Sequence, residues 1–89
     1  METVWIFHGD RARHAAGVFA SKEDALAWVR LHRLSGLLTC YPVGDGCYDI
    51  AVRDGYFRPS KAHHDSPEHI AAFSPGWTEH IHLADGEPA

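Results

Sequence analysis

Between Ser21 and Gly36 the chain carries a helix marked at both ends, and that single element restricts the folds open to a sequence this short. Ser21 is followed by Lys22-Glu23-Asp24, which places an N-cap hydroxyl before acidic side chains in the first turn, where the helix dipole favours them. The spacing predicts a helix from Lys22 to about Leu34, with Ala25, Trp28, Val29 and His32 as the apolar stripe, widened by Leu26 and Leu31. His32 and Arg33 suit the last turn, and Gly36 reads as the residue that stops the helix. With one apolar stripe to bury, the helix needs a sheet to cover.

The strands for that sheet lie on either side. Thr3 to His8 alternates with apolar groups on both faces and reads as a central strand, and Ala15 to Ala20 as its hairpin partner, across a polar loop holding Arg11, Arg13 and His14. Leu37 to Tyr41 is a third strand ended by Pro42. Asp45 is placed to cap a short helix from Gly46 or Cys47 to Asp54, with Tyr48, Val52 and Ala51 facing inward and Gly55 closing it. Arg58 to Asp65 lacks periodicity and reads as the main surface loop. Ser66-Pro67-Glu68 then opens another helix, with Ile70, Ala71 and Phe73 buried, before Trp77 to Leu83 forms the last strand and Asp85-Gly86 ends it. The expected fold class is α+β: a small, mainly antiparallel sheet in the order β-β-α-β-α-α-β, with helices packed on one face, forming a single domain over residues 1–86 and a disordered tail over 87–89.

Composition narrows function by exclusion. At 89 residues, 45% hydrophobic and 22% charged, the chain has material for one modest core and is expected to gain from a homodimer interface. Twelve acidic against eight basic residues, with the arginines dispersed, leave a formal charge of −4 and no concentrated positive footprint for nucleic acid. The eight histidines make that charge strongly pH-dependent below about pH 6.5. No apolar run approaches the roughly 20 residues of a membrane span, and Cys40 and Cys47 are expected as free, half-buried thiols, so a cytoplasmic location without membrane attachment is expected. Neither cysteine nor any serine stands in a recognisable nucleophile motif.

The chemistry-bearing residues are the histidines. On the last strand Thr78, His80 and His82 share one face, opposite Trp77, Glu79, Ile81 and Leu83. His80 and His82 can approach one metal, but zinc needs three or four ligands, so His8 from the first strand, or His63, His64 and Asp65 from the loop, would have to join them. With no H-E-x-x-H or cysteine pair, no metal is expected and zinc is the cofactor to test for. As acid/base candidates, His8, His80 and His82 stand beside Glu79 or Asp85 as orienting groups, while the structural alternative for His8 is a hydrogen bond to a turn carbonyl. Arg11, His14, Tyr56, His63 and His64 are candidate contacts for a ligand or partner; Phe57 is expected in the core and Tyr56 at its rim.

Taken together, Val4-Trp5-Ile6-Phe7-His8-Gly9, Gly17-Val18-Phe19, Arg33-Leu34-Ser35-Gly36 with Leu38-Thr39 and Tyr41-Pro42, Tyr48-Asp49 with Ala51, and Glu79-His80 with His82 and Asp85-Gly86 resemble a family of small, mostly bacterial proteins described only as a domain of unknown function. The resemblance spans nearly the whole chain and implies no activity, cofactor or catalytic residue; it marks His8, Glu79, His80 and His82 as recurring parts of the pattern. Leu83 stands where the family usually has tyrosine, and Ile50 where tryptophan is common.

Three functions are compatible with these features. The leading one is a small binding or accessory domain acting through a protein partner or small ligand. The second is a metal-dependent or histidine acid/base enzyme built on His8, His80 and His82. The third is an immunity or inhibitor protein for a partner toxin, with Asp45, Asp49 and Asp54 as its acidic surface.

Overall fold

A computed structural model describes residues 2–89. Residues up to Val43 together with Thr78–Ala89 form one compact unit, and Gly44–Trp77 a second.

The first unit is a five-stranded antiparallel sheet in the order β2-β1-β3-β4-β5, built from β1 (Thr3–Gly9), β2 (Gly17–Phe19), β3 (Gly36–Pro42), β4 (His80–Ala84) and β5 (Glu87–Pro88). The helix α1 (Lys22–His32) covers one face of it. The α+β expectation therefore holds, with one more strand than expected. Glu87 and Pro88, at the end of the chain, form β5. Asp85 and Gly86 both adopt positive φ, 52° and 88°, as a two-residue hairpin turn requires, and this folds Glu87 and Pro88 back against Ala84 and Leu83. Arg30 Nε then donates to Glu87 Oε2 at 3.1 Å, tying the last strand to α1.

Strand alternation sends Trp5, Phe7, Phe19, Leu38, Cys40, Ile81 and Leu83 towards α1, where Ala25 and Val29 are fully buried. Trp28 is the hinge of this core: Phe7 meets its ring edge-on at 5.8 Å, and Phe19 lies 5.3 Å away. Leu31, expected in the stripe, is 74% exposed, and His32 reaches Trp28 only from the helix surface. The helix also ends earlier than predicted. Arg33 takes the left-handed conformation (φ 55°) and its N–H turns back to Arg30 and Val29 carbonyls, so Gly36 is free to begin β3. Glycine is needed there for a different reason: it pairs with Gly9, and a Cβ on Gly36 would collide with the His8 carbonyl oxygen and stand 2.8 Å from Gly9 Cα.

The second unit contains α2 (Cys47–Arg53), a 3-10 turn (Ala62–Asp65) within the stretch read as loop, and α3 (Pro67–Ala71). Gly46 rather than Asp45 precedes α2, without a side-chain cap, and Ile50 and Ala51 are its buried residues where Val52 was expected. The cap of α3 is as predicted: Ser66 Oγ accepts from His69 N–H at 3.2 Å, with Pro67 in the first turn. Ile70 and Ala71 are nevertheless exposed, because a five-residue helix turns too little of its surface inward. Trp77 precedes the last strand rather than starting it, since Thr39 opposite His80 is the outermost pair of the β3–β4 ladder.

Gly36→Ala should lower unfolding stability by about 1–3 kcal/mol through forced separation of β1 and β3, and Phe7→Ala by about 3–5 kcal/mol through cavity formation. Urea denaturation of each variant against the parent measures both.

Candidate functional site

The face of the sheet opposite α1 carries two rows set by register. Val18, Ile6, Thr39 and His80 form one, and His8, Leu37 and His82 the other. It is not a bare polar face, because Thr39 is buried and Ile6 and Leu37 are half-buried, leaving His8, His80 and His82 as exposed groups among them.

Topology separates His8 from the other two. Because β3 runs between β1 and β4, Leu37 stands between His8 and His82, whose backbones are roughly 9 to 10 Å apart across two strand spacings. His8 is engaged as its structural alternative required: Nε2–H donates to the Ala12 carbonyl at 2.5 Å and closes the β1–β2 loop. A carbonyl only accepts, so this bond fixes the tautomer. His80 and His82 do lie together, with ring centroids 6.2 Å apart and planes at 88°. His80 Nδ1–H donates to Thr78 O at 3.2 Å.

Glu79 does not orient either ring. Strand alternation points it the other way, and its carboxylate pairs with Lys22 Nζ at 2.5 Å, near the Trp5 ring. Asp85 lies in the β4–β5 turn, its N–H donating to Ser35 Oγ at 2.9 Å. Among the described residues no group of three or more His, Cys, Asp or Glu side chains is arranged to hold a metal ion. Arg11, at a φ of 63°, and His14 remain exposed in the β1–β2 loop.

The second unit brings together what the sequence left apart. His63 and His64, in the 3-10 turn, meet His69 of α3: centroids lie 4.6 Å apart for His63–His64, 5.2 Å for His64–His69 and 5.8 Å for His63–His69. Phe57 stacks on His69 at 5.5 Å and meets Phe73 at 5.1 Å, and Tyr48 contacts Phe73, Phe57 and His69 edge-on or tilted. Phe57, expected in the core, is half-buried within this ring cluster. His69 was not a candidate; the signal for it was the short His-His-Asp-Ser-Pro-Glu-His run, whose Ser66 cap reverses the chain and returns His69 to the pair.

His64 Nδ1 accepts from the N–H groups of Ser60 (2.9 Å) and Lys61 (3.2 Å). Partial desolvation, then the neighbouring His63, His69 and Lys61, hold His64 below the ordinary imidazole value of 6.5, against the opposing pull of Asp65. His69 Nδ1 is buried and has no hydrogen-bond partner among the described residues.

Beside this cluster, Tyr56 and Trp77 stack face to face, with centroids 5.1 Å apart and planes within 5°. Tyr56 is 59% exposed, so the stack presents an aromatic surface rather than filling a core. On α2, Arg53 is flanked by Asp54 (3.0 Å) and Asp45 (3.2 Å); their hydrogen bonds and charges raise its pKa, and Arg53 lowers that of Asp54. Two of the three acids proposed as an acidic surface are therefore partly neutralised. Cys40 and Cys47 are free thiols, and burial raises the Cys47 pKa, which keeps it protonated and a poor nucleophile.

Because His80 and His82 are both exposed, His80→Ala/His82→Ala should change unfolding stability by no more than about 0.5 kcal/mol, measured by urea denaturation. A larger loss would mean that these rings support the sheet beyond the contacts described.

Among the described residues no helix is long and apolar enough to cross a membrane. No curated protein and no solved structure matches the chain. The sequence pattern of a domain of unknown function, DUF7710, matches residues 4–89, from the start of the β1 core run through β5, and the chain belongs to that family.

Proposed function

We propose that this chain is a binding module that acts in the cytoplasm through a protein partner, which it meets at the Tyr56–Trp77 stack. The stack itself carries the reading. An exposed tyrosine held flat against a tryptophan is already ordered, so a partner can cover it with little further loss of side-chain freedom. Tyr, Trp and Arg are also the residue types that dominate binding energy in protein interfaces, and Arg58 follows two positions after Tyr56. Val52 and Ile70, in the same unit, add exposed apolar side chains. The acidic balance and dispersed arginines favour a protein over nucleic acid as the ligand.

The acid/base and metal readings have less support. His8 is committed to a loop carbonyl and Glu79 to Lys22, and among the described residues no third His, Cys, Asp or Glu joins His80 and His82 in a metal-holding group.

A photo-crosslinking amino acid in place of Tyr56 tests the proposal in cells expressing the full chain, with Glu23 on α1 as the control position. A discrete protein adduct is expected from position 56, abolished when Trp77→Ser removes the stacking partner, and absent from position 23. Lack of any adduct at 56, or the same adducts at both positions, would refute it.

A further inference from the structure

The Gly44–Trp77 unit is held differently from the sheet. Neither the 3-10 turn nor α3 contributes a buried residue. Beyond local hydrogen bonds such as the Ser66 cap, residues 57–73 are linked by ring contacts among Phe57, His63, His64, His69 and Phe73, with Tyr48 joining from α2. Three of those six rings are imidazoles, the side chain whose ordinary protonation change lies nearest neutrality.

We propose that His63, His64 and His69 form a proton-operated latch: with neutral rings the cluster holds residues 57–73 closed, and protonation opens that segment and uncovers Phe57 and Phe73. The bonding at His64 makes the closed state specific for the neutral ring. Its Nδ1 lone pair receives the Ser60 and Lys61 N–H groups, and an imidazolium carries a hydrogen on that nitrogen. Taking up a proton there replaces two attractive contacts with two N–H groups pointed at a third. A proton on His69 Nδ1 would sit on a buried atom with no acceptor among the described residues. Charge on any two of the rings also sets like charges 4.6 to 5.8 Å apart between centroids.

The surrounding charges do not reverse this. Lys61, at the start of the turn, opposes protonation of His64, and Asp65, at its end, favours it more weakly than the opposing influences combined. Glu68 on α3 and Asp49 on α2 are exposed, and Tyr48 meets the cluster through its ring. His64 binds its proton less readily in the folded chain than in the unfolded one. Its contribution to stability is therefore complete above an unfolded-state pKa of about 6.5 and is lost as pH falls through the lower folded-state value.

Amide hydrogen exchange of the full chain at about pH 7.5 and about pH 5.5 tests the latch, with rates corrected for intrinsic pH dependence and the β1 and β3 peptides as internal reference. Peptides from 57–73 should lose about tenfold more protection at the lower pH than the reference does. In His64→Asn/His69→Phe, Asn supplies an acceptor and Phe a ring but neither takes a proton, and the extra loss should fall below about twofold. Equal changes in both regions of the parent, or an undiminished loss in the variant, would overturn the proposal. The parent alone provides a second readout, independent of how the variant folds. In an NMR titration the Phe57 and Phe73 ring resonances should shift with the same midpoint as the cluster histidines. Ring resonances that stay fixed while those histidines titrate would also overturn it.

Discussion

The seven-pair antiparallel ladder between β1 and β3, running from Thr3–Pro42 to Gly9–Gly36, is the constraint on which the sheet depends. It joins segments more than thirty positions apart in sequence at one end, and everything between them, β2 and α1 included, must fold back over it. The ladder fixes which residues face α1, and so brings Trp5, Phe7 and Leu38 beneath Val29 and Trp28. It also sets β3 between β1 and β4, which is why the histidines of β1 and β4 share a face without sharing a site. The glycine pair at its end lets the two backbones come together just where the β1–β2 loop and the start of β3 converge.

The two units use aromatic rings for opposite purposes. In the sheet unit, Trp28 is an apolar wedge that packs inward against Phe7 and Phe19, with His32 meeting it only at the helix surface. In the Gly44–Trp77 unit, imidazoles make up three of the six rings clustered around Phe57, so packing and protonation act on the same atoms. Tyr56 of the Tyr56–Trp77 stack directly precedes Phe57 and shares its main-chain anchor, since the N–H groups of Tyr56 and Phe57 both donate to the Ala51 carbonyl. The exposed aromatic surface and the histidine cluster are therefore adjoining parts of one short segment.

Signals confined to a few neighbouring residues were readable in the sequence. Ser21 and Ser66 cap the helices they precede, and the alternation of β1 gives the correct faces. Signals that depend on distant partners were ambiguous. Gly36 looks like a helix stop, but Arg33 takes the strained turn and the glycine serves the β1–β3 approach. Asp85-Gly86 marks a turn, yet only pairing with β4 turns the few residues after it into a strand. Trp77 continues the alternation of the last strand but has no place in its ladder, and the inward rotation expected of Val52 belongs to Ile50. His69 could not be joined to His63 and His64 by period alone, because the reversal at Ser66 governs their distance. Pairing of His8 with His80 and His82 failed on strand order, which alternation does not encode.

The brevity of the outer strands has a consequence for the behaviour of the chain in concentrated solution. A long exposed edge offers a row of unpaired backbone groups that a second copy can extend into a fibre. Here the sheet terminates in three residues at β2 and two at β5, and the latter brings a proline. The apolar Val18 on that first edge consequently has too little backbone beside it to template growth. The sheet is thus guarded against edge-to-edge strand addition by truncation of its borders.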